Sequence, residues 1–147
     1  MGQFSKLSKL DVKRDRTAEF TFFQLEGRPS LRVRPAEEVN KAYFNALLKR
    51  RSRRSVRRIR AGSADAAQVA ENRAEDRELY AKHVVVGWSG VKNDSGVEVP
   101  FGPAPLGEFL AALPDWLFDE LRLFCSEVTN FVDEEEPQLD VEETAGN

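Results

Sequence analysis

Residues that bind transition metals or form disulfides are scarce in this sequence, which has one cysteine, Cys125, and one histidine, His83, among 147 residues. A single cysteine cannot form an internal disulfide, so nothing indicates an oxidising compartment. Transition-metal sites need several His and Cys ligands, commonly spaced as HExxH or CxxC, and neither spacing occurs. The acidic C-terminal segment also lacks the D-x-D-x-D-G loop of calcium sites. We therefore expect no bound metal.

Motifs for catalysis and phosphate binding are missing as well. The chain has no glycine-rich loop ending in GK[ST] that would bind a nucleotide phosphate. Residues 87–91 come near the G-x-S-x-G nucleophile motif, but the last position is Val91 instead of glycine. The sequence therefore predicts a protein that is not an enzyme and uses no cofactor.

Long hydrophobic runs are also absent. Apolar stretches, such as residues 84–86 and 116–118, span only a few positions, whereas about 20 are needed to cross a bilayer. The charged N-terminus lacks the apolar core of a secretory signal. We expect a cytoplasmic protein that does not span a membrane.

The chain does contain enough apolar residues for one folded domain, at 41% hydrophobic and 10% aromatic. Residues 1–18 are polar and charged without an apolar period, which predicts a flexible N-terminal arm. Residues 132–147 contain seven acidic residues and no basic one, which predicts a disordered acidic tail. The folded domain is therefore expected over residues 19–131.

Two β-hairpins are predicted within this domain. Residues 19–25 and 30–33 form two short apolar runs around a turn with Gly27 and Pro29. Residues 83–101 have β-branched runs on both sides of the turn sequence NDSG. Apolar residues at helical spacing predict helices over most of the remaining domain, the first of them beginning at Pro35. The predicted fold class is therefore α+β, a mainly α-helical single domain with two small hairpins.

A strongly basic segment, KRRSRRSVRRIR, occupies residues 49–60 of the first predicted helix. Advancing 100° per residue places Leu48, Val56 and Ile59 on one side and the arginines on the other. Such a basic face suits an acidic protein partner, nucleic-acid phosphates or plain solvation. An acidic segment on the same chain could compete for these arginines. Four of them are candidate partner-binding residues: Arg50, Arg53, Arg54 and Arg57.

The last predicted helix, residues 115–128, has an apolar core face and two further apolar residues off that face. The core face comprises Leu117, Phe118, Leu121, Phe124, Cys125 and Val128. Trp116 and Leu123 fall on a second line about a third of a turn away. An exposed apolar strip of this kind marks protein interaction, although the first helix or the N-terminal hairpin could instead cover it. Trp116 and Leu123 are therefore also candidate partner-binding residues.

Several short motifs follow one another in a definite order between Glu19 and Phe131. After the first hairpin come RPA at 34–36, NKAYF at 40–44, VVVGW at 84–88, NDSG at 93–96, VPF at 99–101, and Leu113-Pro114 opening a helix that ends in Asn130-Phe131. By this order and spacing the chain resembles the tail assembly chaperones of long-tailed bacteriophages. The Arg-rich segment and the acidic C-terminal extension depart from that pattern.

The resemblance implies a protein that binds the tape-measure protein during tail assembly and helps to recruit tail-tube subunits. Such factors act in the host cell cytoplasm and leave before the virion matures. Two other interpretations stay open at this point. The chain could be a nucleic-acid-binding accessory protein that uses the Arg-rich helix 49–60, or a minor structural protein of the virion. The oligomeric state is left open.

Overall fold

The protein is described by a computed structural model over residues 3–13, 15–61 and 65–132, with the backbone alone over 54–61 and at residue 65. The described residues form a single small α+β domain, as the sequence predicts. In chain order its elements are strands β1 (Ala18–Thr21) and β2 (Ser30–Val33), helices α1 (Lys41–Ala61) and α2 (Asp65–His83), strand β3 (Val85–Ser89), and helices α3 (Pro103–Ala112) and α4 (Asp115–Ser126). Two short 3₁₀ helices, Ser5–Leu10 and Val128–Phe131, lie near the two ends.

The three strands form one antiparallel sheet in the order β1-β2-β3. The first predicted hairpin is confirmed, because Phe20 of β1 pairs with Leu31 of β2. Its first strand is shorter than predicted and ends at Thr21, because the chain turns after Phe22, where the Leu25 N–H donates to the Phe22 carbonyl at 3.2 Å. Gly27 adopts a φ of +82° within this turn, a conformation that glycine adopts without strain.

The second predicted hairpin forms only close to its turn, where the Val99 N–H donates to the Val91 carbonyl at 2.9 Å, because most of its first strand pairs elsewhere. Strand β3 pairs with β2, with Leu31 opposite Trp88. Residues 92 and 98 make only an isolated bridge, although the predicted turn between them does form. In that turn the Asn93 side chain accepts hydrogen bonds from the N–H groups of Ser95 and Val97, each at 3.0 Å. Strand β3 follows Val84, which is fully buried, so pairing with β2 brings this segment into the core.

Helix α1 begins six residues later than the predicted start at Pro35. Asn40 explains the difference, because its side-chain oxygen accepts a hydrogen bond from the Tyr43 N–H at 3.4 Å and thereby caps the helix. The Asn40 amide also donates to the carbonyls of Pro35 and His83, at 3.0 and 2.9 Å. This fully buried side chain therefore ties the start of α1 to the end of α2.

The core lies where one face of the sheet meets the four helices. Its largest fully buried side chains come from the turn after β1, from α2, from α4 and from the C-terminal 3₁₀ helix: Phe22, Tyr80, Phe118 and Phe131. Tyr80 and Phe118 pack edge to face with ring centroids 5.5 Å apart. Burial of such rings is a major source of stability, at about 3–5 kcal/mol for a Phe side chain removed from a core. The predicted acidic tail from residue 133 onward lies outside the described residues.

Candidate partner-binding surface

Helix α4 presents two different faces. Leu117, Phe118, Leu121 and Cys125 are buried, as its apolar spacing predicts. Trp116 is 55% exposed and Leu123 is 67% exposed, so neither α1 nor the N-terminal hairpin covers them. Val128, predicted for the core face, is exposed because α4 ends at Ser126 and the chain continues in a 3₁₀ helix. We call Trp116 and Leu123 the apolar strip.

The rotation of α4 is held by a buried carboxylate on α2. Asp76, which is only 8% exposed, accepts hydrogen bonds from the Tyr43 hydroxyl at 3.0 Å and from Arg122 Nε at 2.8 Å. Burial, followed by the negative charge of Asp76, raises the pKa of Tyr43 well above its ordinary value. Tyr43 therefore remains a hydrogen-bond donor at neutral pH, and one carboxylate joins α1, α2 and α4.

Asp119 of α4 extends this network towards the start of the helix. Arg73 donates two hydrogen bonds to its carboxylate, at 3.0 and 2.7 Å, in the bidentate geometry that fits a guanidinium to a carboxylate. Arg122 donates to the same carboxylate at 3.1 Å. The hydrogen bond from Arg73 is the largest cause of a lowered pKa at Asp119, so this carboxylate is charged at neutral pH.

Arg77 of α2 connects the same helices to α3. It donates to the carbonyls of Leu110 and Leu113, at 2.9 and 2.7 Å, and thereby satisfies carbonyls at the C-terminal end of α3. Its guanidinium lies 4.8 Å from the centre of the Phe118 ring and forms an ion pair with Asp115. Three charged residues on one face of α2, namely Arg73, Asp76 and Arg77, therefore position α3 and α4.

A groove of about 430 Å³ opens beside the apolar strip, between α1 and α4. Leu123 lies on one side of this groove and Leu47 and Phe44 of α1 lie on the other. Asp76 and Tyr80 line it as well. The groove therefore combines apolar side chains at its edges with polar side chains, such as Asp76 and Arg122, that are hydrogen-bonded inside the domain.

The basic segment of α1 differs from its prediction in one respect. Leu47, not Leu48, is buried, and Leu48 is 47% exposed. Since Tyr43 and Leu47 face the core, position 50 lies towards α2, and Arg50 bonds to Glu78 at 3.0 Å instead of facing solvent. Arg53 is exposed. The side chains of Arg54 and Arg57 lie outside the described part of α1.

The ion-pair network was not predicted from the sequence. Its signal is the spacing of charges on α2, where residues 73, 76 and 77 fall at the i, i+3 and i+4 positions that a packed helix normally fills with apolar residues. The matching positions on α4 are 115, 119 and 122. Among the described residues no cluster of three metal-binding side chains occurs. None of the described helices combines the length and apolar character needed to span a bilayer.

A family model described as YdaY prophage protein matches residues 39–147, which is more than half of the chain. The chain therefore belongs to this prophage protein family and is of phage origin. Neither the curated proteins nor the solved structures include a significant match.

Proposed function

We propose that this member of the YdaY prophage protein family is a non-enzymatic tail assembly chaperone. In this proposal it binds the tape-measure protein of its phage and helps to recruit tail-tube subunits. It would act in the host cell cytoplasm and be absent from the mature virion. The phage origin of the family and the order of motifs between Glu19 and Phe131 both favour this function.

The observation that carries the proposal is the exposure of Trp116 and Leu123 on a helix whose orientation is fixed. Large aromatic residues exposed on a rigid surface are the residue type that dominates binding energies at protein interfaces. The groove next to Leu123 is also lined by Phe44 and Leu47 of α1, and apolar residues along a groove suit the apolar face of an amphipathic helix. A long helical protein such as a tape measure offers apolar side chains at helical spacing that fit this arrangement.

The test is binding of the tape-measure protein by the double variant Trp116→Ala/Leu123→Ala. Both proteins are co-expressed, and complex formation is measured by affinity pull-down, the dissociation constant by titration, and the soluble fraction of the tape measure by centrifugation. Loss of a central Trp costs about 2 kcal/mol or more at an interface, so we expect at least a thirtyfold weaker complex. The thermal midpoint should stay within about 3 °C, because exposed side chains contribute little to folding.

A matched control is the variant Phe4→Ala/Leu7→Ala, which removes one exposed aromatic residue and one exposed leucine outside α4, at the N-terminal 3₁₀ helix. It should bind as the wild type does. Equal weakening by the two double variants would contradict a role of the apolar strip. Failure of the wild-type protein to bind or solubilise the tape measure would overturn the chaperone function itself. Detection of the chain in purified particles would favour a structural virion protein instead.

A further inference from the structure

The exposed face of α4 alternates apolar and acidic side chains. At 100° per residue, Trp116, Glu120, Leu123 and Glu127 fall within about 60° of one another, and all four are exposed. The last three follow Trp116 by four, seven and eleven residues, and Glu127 directly follows the end of the helix. We call Glu120 and Glu127 the acidic edge of the apolar strip.

The described contacts leave this edge negatively charged. Glu120 accepts a hydrogen bond from the neutral amide of Gln24 at 3.0 Å, which positions the carboxylate without cancelling its charge. Arg122 is the only basic residue of α4, and its guanidinium faces α2, where it bonds to Asp76 at 2.8 Å. The one cation of this helix is therefore used inside the domain.

A further carboxylate borders the groove on the side of α1. Glu37 lines the groove together with Leu123. The Ala36 N–H donates to the Cys125 carbonyl at 2.9 Å, which holds Glu37 next to the C-terminal end of α4. Arg51 lines the groove further along α1 and interacts within the domain. The apolar side chains of the strip and the groove are thus bordered by carboxylates on both sides.

The spacing of the apolar strip fits a helical partner. Seven residues separate Trp116 from Leu123, which corresponds to about 10.5 Å along α4. A second helix packed on this face presents apolar side chains every three or four residues, about 5 Å apart along its axis, so one of them fits between Trp116 and Leu123. The residues that border its apolar face then lie next to the acidic edge and Glu37.

We infer that the apolar strip selects an amphipathic partner helix whose apolar face is bordered by lysine or arginine. This inference rests on the partner-binding function proposed for the strip, and it names the chemistry of the segment that binds. Opposite charges at the border of an interface increase the association rate, and like charges there disfavour the wrong partner. A helix bordered by glutamate would place like charges against Glu120 and Glu127.

The test uses the full-length protein and two fluorescein-labelled peptides of about 21 residues. Both peptides carry leucine at positions a and d of a heptad repeat, and the bordering positions e and g are lysine in one and glutamate in the other. Fluorescence anisotropy gives the two dissociation constants. At about 100 mM NaCl, where the Debye length is about 10 Å, the lysine peptide should bind at least about tenfold more tightly. At about 1 M NaCl the difference should fall below about threefold, because the Debye length is then about 3 Å.

Exchange of charge on the protein should exchange the preference. The variant Glu120→Lys/Glu127→Lys should bind the glutamate peptide more tightly than the lysine peptide, because each border then meets its opposite charge. The variant Trp116→Ala/Leu123→Ala should weaken the binding of both peptides. Circular dichroism checks that each variant is folded.

A matched control separates the acidic edge from the overall charge of the chain. The variant Asp94→Lys/Glu98→Lys makes the same change in net charge at exposed positions after β3. It should change the ratio of the two dissociation constants less than about threefold, because charges far from an interface are screened.

Three results would overturn the inference. The first is equal binding of the two peptides at about 100 mM NaCl, since apolar contact alone would then explain the binding. The second is the same ratio of dissociation constants in Glu120→Lys/Glu127→Lys as in the control variant. The third is self-association of the wild-type protein that Trp116→Ala/Leu123→Ala abolishes, because the strip would then be an interface between two copies of the chain.

Failure of this inference is distinguishable from failure of the proposed function. Equal binding of the tape-measure protein by the wild type and by Glu120→Lys/Glu127→Lys would overturn the charge selection and leave the chaperone function in place. A peptide preference that this variant reverses, in a protein that does not bind the tape measure, would support the partner chemistry and overturn the chaperone function.

Discussion

Replacing Asp76 by Asn removes the negative charge that joins α1, α2 and α4 while preserving the size of the side chain. The amide oxygen can still accept one hydrogen bond, but Asp76 accepts two, from Tyr43 and Arg122. The amide N–H₂ group would then face one of these two donors. The expected result is a loss of stability, with the fold retained.

The magnitude follows from the two bonds and their exposure. A hydrogen bond to a charged group contributes about 1.5–3 kcal/mol, and a donor left without an acceptor in a buried site costs about 1–3 kcal/mol. The Arg122 side chain is 27% exposed and keeps its bond to Asp119, so water and the second carboxylate offset part of the loss. We expect about 2 kcal/mol for Asp76→Asn. At about 4 °C per kcal/mol for a domain of this size, the thermal midpoint should fall by about 8 °C.

Thermal and urea unfolding, followed by circular dichroism, measure this loss. The control is Glu19→Gln, which makes the same chemical change in an ion pair with Arg32 at 3.7 Å whose side chains are both more than half exposed. Exposed pairs of this kind contribute little, so the midpoint should change by less than about 2 °C. A midpoint for Asp76→Asn as close to wild type as that of the control would refute the reasoning, because the buried network would then contribute nothing to stability.

Two further predictions concern titratable groups. Arg73 lowers the folded-state pKa of Asp119 below its unfolded value, so the stabilisation by this pair is present above about pH 4 and is lost as the pH falls through the folded-state pKa. Urea unfolding at pH 7, 5 and 3 should show this loss of stability, and Asp119→Asn should make it smaller. An equally steep loss in the variant would contradict the role of the pair. Burial raises the pKa of the Cys125 thiol far above its ordinary value, so Ellman's reagent at pH 8 should react with this thiol only after urea has unfolded the protein. Rapid reaction of the native protein would mean that α4 opens readily.

The parts of the fold that the sequence predicts are those with strong local patterns. Helix α4 repeats apolar residues at three- and four-residue intervals, so its core face and the position of Trp116 and Leu123 off that face both follow from helix geometry. That no other element covers these two residues is known only from the structure. The first hairpin has two apolar runs separated by a short turn with Gly and Pro, so the two runs pair with each other as antiparallel strands. In each case the residues that determine the structure are neighbours in the sequence.

The parts that were missed depend on contacts between distant residues. The turn at Asn93 forms as predicted, but β-branched character alone does not say which strand lies beside β3. The choice of β2 brings Leu31 opposite Trp88, residues that are far apart in the sequence. The start of α1 was missed for a similar reason. Asn40 caps this helix, and the amide of Asn40 also donates to the carbonyl of His83, the last residue of α2, which is far away in the sequence.

The ion-pair network explains how a helix with few apolar residues can still fix its neighbours. Helix α2 buries only Leu79 and Tyr80 among its described apolar side chains, both near its C-terminal end. Hydrogen bonds from Arg73 and Arg122 to carboxylates on the opposite helix have a fixed direction. A rotation of α4 by one residue, about 100°, would break them. The network thus reinforces the rotation that the buried apolar face of α4 already favours, and it connects the stability of the domain to the surface that we propose for the partner.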